Sequence, residues 1–156
     1  MGNKIFIIDG DFLMRIMGLD LGDKTIGVAV SDPLGWTAQA VEVIRRDGDA
    51  ARQLRRLREL IGLYEVEMFL VGLPKNMNGT VGDSGRKAIS FAEMIGEELG
   101  LPVEMWDERL STVSANRILL EADMSRAKRK KNIDKMAAAV FLQGYLDAGG
   151  RKSPAP

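Results

Sequence analysis

The 156-residue sequence contains neither cysteine nor histidine. The first absence excludes disulfides, thiolate metal sites and thiol nucleophiles. The second excludes Ser-His-Asp triads, the HExxH zinc site and the commonest general base. The fragment GDSG at 82–85 looks like part of a serine protease, but no histidine exists to activate Ser84. No apolar run approaches the roughly 18 residues of a membrane span, so no membrane partner is expected. A basic segment leading into an apolar core is also missing from the N-terminus, which excludes a signal peptide and makes the cytoplasm the expected location. An excess of one charge is absent too: 22 Lys and Arg balance 22 Asp and Glu. Nucleic acid would therefore have to be met by local patches. Any catalysis must rest on carboxylates, Lys, Arg, hydroxyls, backbone amides or a bound metal.

What is present is ordinary for one globular domain, with 46% apolar and 28% charged residues. Residues 1–13 read as an N-terminal extension, disordered or adding an edge strand, ahead of a second start at Met14. Ile16–Asp20 and Thr25–Ser31 are apolar and β-branched, and Gly22-Asp23-Lys24 between them predicts a hairpin. A third strand is expected at Ala40–Ile44. Asp47 or Asp49 can cap a helix over 50–63, whose stripe is Ala50, Leu54, Leu57 and Ile61. The continuous apolar run 67–74 predicts a buried parallel strand ended by Pro74. After a polar loop, a helix is expected over 86–99, closed by Gly100 and Pro102. A fifth strand should follow at 102–108, then a helix over 113–122 capped by Ser111 or Thr112. A basic stretch leads to a last helix over 132–147, and 150–156 should be a disordered tail. The order is three antiparallel strands followed by two αβ units, the pattern of a mixed five-stranded α/β sheet with helices on its faces.

Acids stand at three places where a core residue or a breaker would be ordinary. Asp20 ends the first strand, Asp107-Glu108 the fifth, and Asp134 lies beside the apolar stripe of the last helix, one turn before Ala137 and Ala138. Carboxylates converging from separate elements repel unless a cation neutralises them. Mg²⁺ and Mn²⁺ prefer such oxygen donors. Two of these ions about 4 Å apart can drive phosphodiester cleavage with neither His nor Cys. Each acid also has a plain structural reading: Asp favours strand ends, Asp134 fits the surface of an amphipathic helix, and Asp107 or Glu108 can pair with Arg109.

Four segments in order, GLDLGDKTIGVAVSD (18–32), LVGLPKNMNGTVG (70–82), DERLST (107–112) and IDKMAAAVFLQGYLD (133–147), resemble the YqgF (RuvX) family of pre-16S rRNA nucleases. The similarity runs over about 14–149. The resemblance implies an RNase H-like fold related to the RuvC resolvases. The sheet order implied is 3-2-1-4-5, counting from Ile16, with the first three strands antiparallel and the last two parallel. It also implies a metal-dependent endonuclease maturing the 5′ end of 16S rRNA, using Mg²⁺ or Mn²⁺, with two ions expected. Carried over by position, the acidic triad falls on Asp20, Glu108 and Asp134, with Asp107 as the alternative to Glu108. Asp9, in the extension, matches no family segment and is expected to be dispensable. One departure stands out: RuvC relatives place an acid on the fourth strand, where this chain has VGLPKN, so the fifth strand must supply the second acid.

The nucleic-acid candidates are Lys24 and Thr25 beside Asp20, Lys75 and Asn76 in the loop to 85, Arg109, and the basic run of Arg126, Lys128, Arg129, Lys130 and Lys131. The loop also reads as a structural turn, and Arg109 as a partner of Asp107. The basic run reads as a flexible clamp. Trp36 and Trp106 could stack on bases, though packing suits each better. The expected partner is precursor rRNA, with branched DNA as the alternative, and the chain a monomer or homodimer. A junction resolvase would act as a dimer, and a non-catalytic nucleic-acid-binding regulator is a third reading.

Overall fold

The structure is a computed structural model that describes residues 6–8, 11–13, 15–110 and 126–150, with the backbone alone over 6–8, 11–13, 110, 126–135 and 150. The strands are β1 (Phe6–Ile8), β2 (Asp11–Leu13), β3 (Ile16–Leu21), β4 (Thr25–Ser31), β5 (Ala38–Arg45), β6 (Met68–Leu73) and β7 (Val103–Asp107). The helices are α1 (Ala50–Tyr64), α2 (Asp83–Leu99) and α3 (Arg126–Tyr145). The main sheet has the order β5-β4-β3-β6-β7. β3, β4 and β5 run antiparallel, and β6 lies parallel to both β3 and β7. This is the expected mixed sheet, in the expected order. Among the described residues β1 and β2 pair with each other and not with the main sheet, a small ribbon where an edge strand was one expectation.

Strand alternation divides the core in two. Met17, Leu19, Val28, Phe69 and Val71 face α1 and α2, while Ile16, Ala29 and Leu70 face α3. Helices thus cover both faces, as parallel strands require. Asp49 caps α1 by accepting the Arg52 amide at 3.1 Å, and Gly100 ends α2 in the left-handed region at φ 72°. On the other face Gly18 lets α3 approach closely: a Cβ there would sit 3.2 Å from Leu142 Cβ and 3.4 Å from the Ala138 carbonyl oxygen. Gln143 pins the far end of α3 to β5, accepting from the Ala38 amide at 2.9 Å and donating to the Trp36 carbonyl at 3.0 Å. Tyr145 adds a 2.5 Å hydrogen bond to Glu104 and an edge contact with Trp106. Trp106 is therefore a packing residue, whereas the Trp36 ring is exposed.

One expectation needs correction. The last helix begins at Arg126, not near 132, so the basic run is helical in its backbone and not a flexible lead-in. Ala, Lys and Arg are strong helix formers, and propensity outweighed charge repulsion along the run. The helix expected over 113–122, its caps Ser111 and Thr112, and residues 151–156 lie outside the described residues.

Glu67 is a cost to this core. It is 6% exposed, and its Oε2 has no hydrogen-bond partner among the described residues. Burial, with a smaller push from Glu65, raises its carboxyl above the usual range. An acid with a raised folded-state value loses protons more readily when unfolded, so stability falls as pH rises between the two values. Glu67→Gln should therefore raise the melting temperature at about pH 8 by an amount on the order of 1 kcal/mol in stability. The gain should shrink as pH falls into the acid range, where the carboxyl takes up its proton. Thermal melts of both proteins across that range check the sign.

Candidate active site at the edge of the sheet

β3, β6 and β7 all end at the same edge, and their last residues meet there. Asp20 follows Ile16 and Gly18 on the face of β3 that looks toward α3. Leu19 pairs with Val71, so one step further Asp20 lies beside Gly72 on β6, at the usual strand spacing of about 4.8 Å. Gly72 in turn pairs with Trp106 on β7. Glu108 comes just after β7, at the start of a 3₁₀ turn (Glu108–Leu110). Its carboxyl folds back over Gly72: a Cβ on Gly72 would stand 2.6 Å from Glu108 Oε1 and 3.0 Å from Phe141 Cε2. Glu108, just after β7, thus lies over the bare surface of Gly72, while Asp20 stands on the neighbouring strand β3, on the same face of the sheet. Phe141, fully buried, forms the floor.

Asp107 belongs to the other face. It alternates with Val103 and Met105, which pack toward α1 and α2. The Arg109 guanidinium donates to both of its oxygens, Nε to Oδ1 at 3.1 Å and Nη2 to Oδ2 at 2.8 Å. Lys75 Nζ stands 3.8 Å from Oδ2. The hydrogen bonds from Arg109 hold the Asp107 carboxyl below the usual range, and Asp107 correspondingly raises Arg109. Arg109 is thus engaged with Asp107, and its Nη1 also reaches the Asn76 carbonyl at 3.4 Å. This cluster ties β7 to the loop after β6. That loop is built by a turn in which the Asn76 amide donates to the Thr80 carbonyl and Asn76 Nδ2 to Thr80 Oγ1, both at 2.9 Å.

Of the other candidates, Lys24 and Thr25 sit in the turn after Asp20, where the Gly22 amide donates to the Thr25 carbonyl at 2.8 Å. Lys24 is exposed. Asp134 lies on α3 one turn before Ala138, whose carbonyl oxygen is close to Gly18. Because Gln143 fixes the other end of α3 at the start of β5, the helix runs from the acid edge away from it. The backbone of Asp134 therefore stands at the Asp20 end. The side chains of Asp134 and of Arg126, Lys128, Arg129, Lys130 and Lys131 lie outside the described residues. Among the described residues no group of three acidic side chains converges. No helix among them is long and apolar enough to cross a membrane.

Gly72 is a site residue that sequence reasoning missed. Its signal was an isolated glycine inside an apolar strand, which marks a close approach by another group.

Comparison with known proteins converges on one group. Residues 14–148 match the family model for RuvX, described as Holliday junction resolvase. A Desulforamulus reducens protein, provisionally named pre-16S rRNA nuclease, is 64% identical over 138 residues, covering 88% of this chain and all of the relative. A Clostridium novyi protein of the same provisional name is 56% identical, covering 86% of this chain and 99% of the relative. Among solved structures, RuvC of T. thermophilus in complex with a Holliday junction substrate superposes with a TM-score of 0.56 at 17% identity, over 89% of this chain and 98% of that one. At that identity the likeness shows the fold, which is that of RuvC.

Proposed function

This chain belongs to the RuvX family, and on that footing we propose that it is a metal-dependent endonuclease that hydrolyses phosphodiester bonds in precursor 16S rRNA. The observation that carries this reading is Glu108 lying over the bare surface of Gly72, with Asp20 on the same face of the adjacent strand, at the end where three strands stop. The names of the relatives favour RNA as substrate.

The donor set fits a hard divalent cation. Two carboxylates brought to one face of neighbouring strand ends repel unless neutralised, and their oxygens are the ligands Mg²⁺ and Mn²⁺ prefer. Asp20, Glu108 and Asp134 would hold the metal. When bound, such ions supply activation of the attacking water and stabilisation of the leaving oxygen.

The chain's own residues do the rest. Gly72 gives Glu108 room to lie beside Asp20. Phe141 closes the floor and keeps water from that side. The Asp107–Arg109–Lys75 cluster fixes the turn that carries Glu108, so that the carboxylate is held before substrate arrives. Lys24 on the turn meets a phosphate next to the scissile one. The run from Arg126 to Lys131 fills the first turns of α3, where positive charge opposes the helix dipole. A polyanion laid along it relieves that conflict, and each phosphate so neutralised steepens the salt dependence of binding by roughly 0.7–0.9 in log–log slope.

The description of the family supports a second reading, a resolvase acting on four-way DNA junctions. Both readings use the same acids, so substrate decides between them. The test offers a precursor 16S fragment and a four-way junction to the purified chain with Mg²⁺ or Mn²⁺, with and without EDTA. Cutting of the RNA that EDTA stops and fresh metal restores is the expected result. Cutting of the junction alone transfers the function to the second reading, and cutting in EDTA removes the metal from it.

A further inference from the structure

A cleft on the opposite face of the sheet has no part in the acid site. It lies between α1 and α2, next to the turn that follows Asp20, with a volume of about 560 Å³. Gln53, which is 8% exposed, lines it from α1. Its side-chain amide carries both donors and an acceptor, the groups a polar ligand in the cleft would engage. Phe91 and Met94 make the apolar wall. Arg46 and Lys87 stand at the rim with Asp23 as the single acid there, and Lys87 has no ion pair among the described residues.

We propose that this cleft is a subsite for one unpaired nucleotide of the strand being cut. The inference rests on the nuclease reading above and deepens it. An amide is the group that reads a base edge with paired donor and acceptor. An aromatic ring and a thioether give a base an apolar surface, and the two cations meet its flanking phosphates. The volume lies within the range of small-ligand pockets. Continuity with the acid edge comes from one turn. The Arg46 amide donates to the Lys24 carbonyl at 2.8 Å, and its guanidinium donates to the Gly22 carbonyl. Asp23 of the rim is three residues from Asp20. A strand draped over Lys24 therefore reaches the acids on one face and the cleft on the other. Only an unpaired nucleotide can turn into it, because a duplex keeps its bases stacked.

The test uses the full chain in EDTA, so that binding is read without cutting. The probes are a fluorescein-labelled single-stranded RNA decamer, its DNA counterpart and an RNA duplex of the same sequence. Gln53→Leu, close in volume, should weaken single-strand binding roughly fivefold to tenfold and leave duplex binding unchanged. Lys87→Glu should weaken single-strand binding roughly tenfold and flatten the salt slope by about one. The Gln53 side-chain amide signals in a ¹⁵N spectrum should shift on adding the RNA decamer. Whichever of RNA and DNA binds tighter identifies the source of the nucleotide. Unchanged single-strand affinity in Gln53→Leu, with unshifted Gln53 signals, overturns the subsite. That result would leave metal-dependent cutting untouched, and a failure to cut RNA would leave this binding measurement equally valid.

Discussion

Asp20→Asn is expected to abolish cleavage while the fold persists. The substitution keeps volume and removes one negative charge from the end of β3, at the α3 face of the sheet edge. The structural part of β3 does not depend on that charge. Its stability comes from Ile16, Met17 and Leu19, all fully buried, and from pairing on both sides with β4 and β6. A melting temperature within a few degrees of the parent is therefore expected. The chemical loss should be roughly a thousandfold, equivalent to about 4 kcal/mol of transition-state stabilisation, the scale of removing one oriented charged group from a preorganised site. Rates measured under single turnover separate this loss from weaker binding. Equal activity in Asp20→Asn would place the chemistry elsewhere.

Gly72→Ala should produce the second large effect, through a residue that carries no functional group at all. The added methyl would fall 2.6 Å from Glu108 Oε1 and 3.0 Å from Phe141 Cε2. Phe141 is fully buried and cannot yield, so the Glu108 side chain must move. Displacing a catalytic group by about an ångström costs up to roughly a hundredfold in rate, and a fall of ten- to a hundredfold is expected. Stability should fall by about 1–3 kcal/mol, the usual result of overfilling a packed site. The signature of the mechanism is that Gly72→Ala and Glu108→Gln combine to lose little more than the worse of the two, because both act on one carboxylate. Independent, additive losses would mean that Gly72 matters only for packing.

Much of the framework could be read from the residues, for reasons the structure makes plain. The run MFLVGL is apolar throughout because β6 is buried on both faces, and that pattern needs no tertiary knowledge. The hairpin of β3 and β4 was equally visible, since its turn residues interrupt two β-branched runs. The start of α3 was misplaced because the same lysines and arginines serve both as a charged run and as good helix formers, and charge was given the greater weight. Two features of the site were legible only in part. Strand alternation already required that Asp107 and Glu108 face opposite ways, but which one faces Asp20 depends on the register of β7 against β6. The role of Gly72 depends on a carboxylate from another strand arriving over it, which no local pattern encodes. The Gln53 cleft escaped notice for a similar reason: a polar residue inside a helix that is otherwise rich in arginine reads as surface until α2 packs across it.

The central claim is that Asp20 and Glu108, the latter lying over Gly72, form the catalytic edge, while neighbouring Asp107 serves structure through Arg109. One side-by-side measurement tests it most directly: the single-turnover cleavage rate of a precursor 16S fragment by Glu108→Gln and by Asp107→Asn, each with saturating Mn²⁺. Glu108→Gln should lose roughly a hundredfold or more. Asp107→Asn, which keeps Glu108 on the α3 face and weakens only an ion pair with Arg109, should stay within about tenfold of the parent. A dead Asp107→Asn beside an active Glu108→Gln would contradict the account.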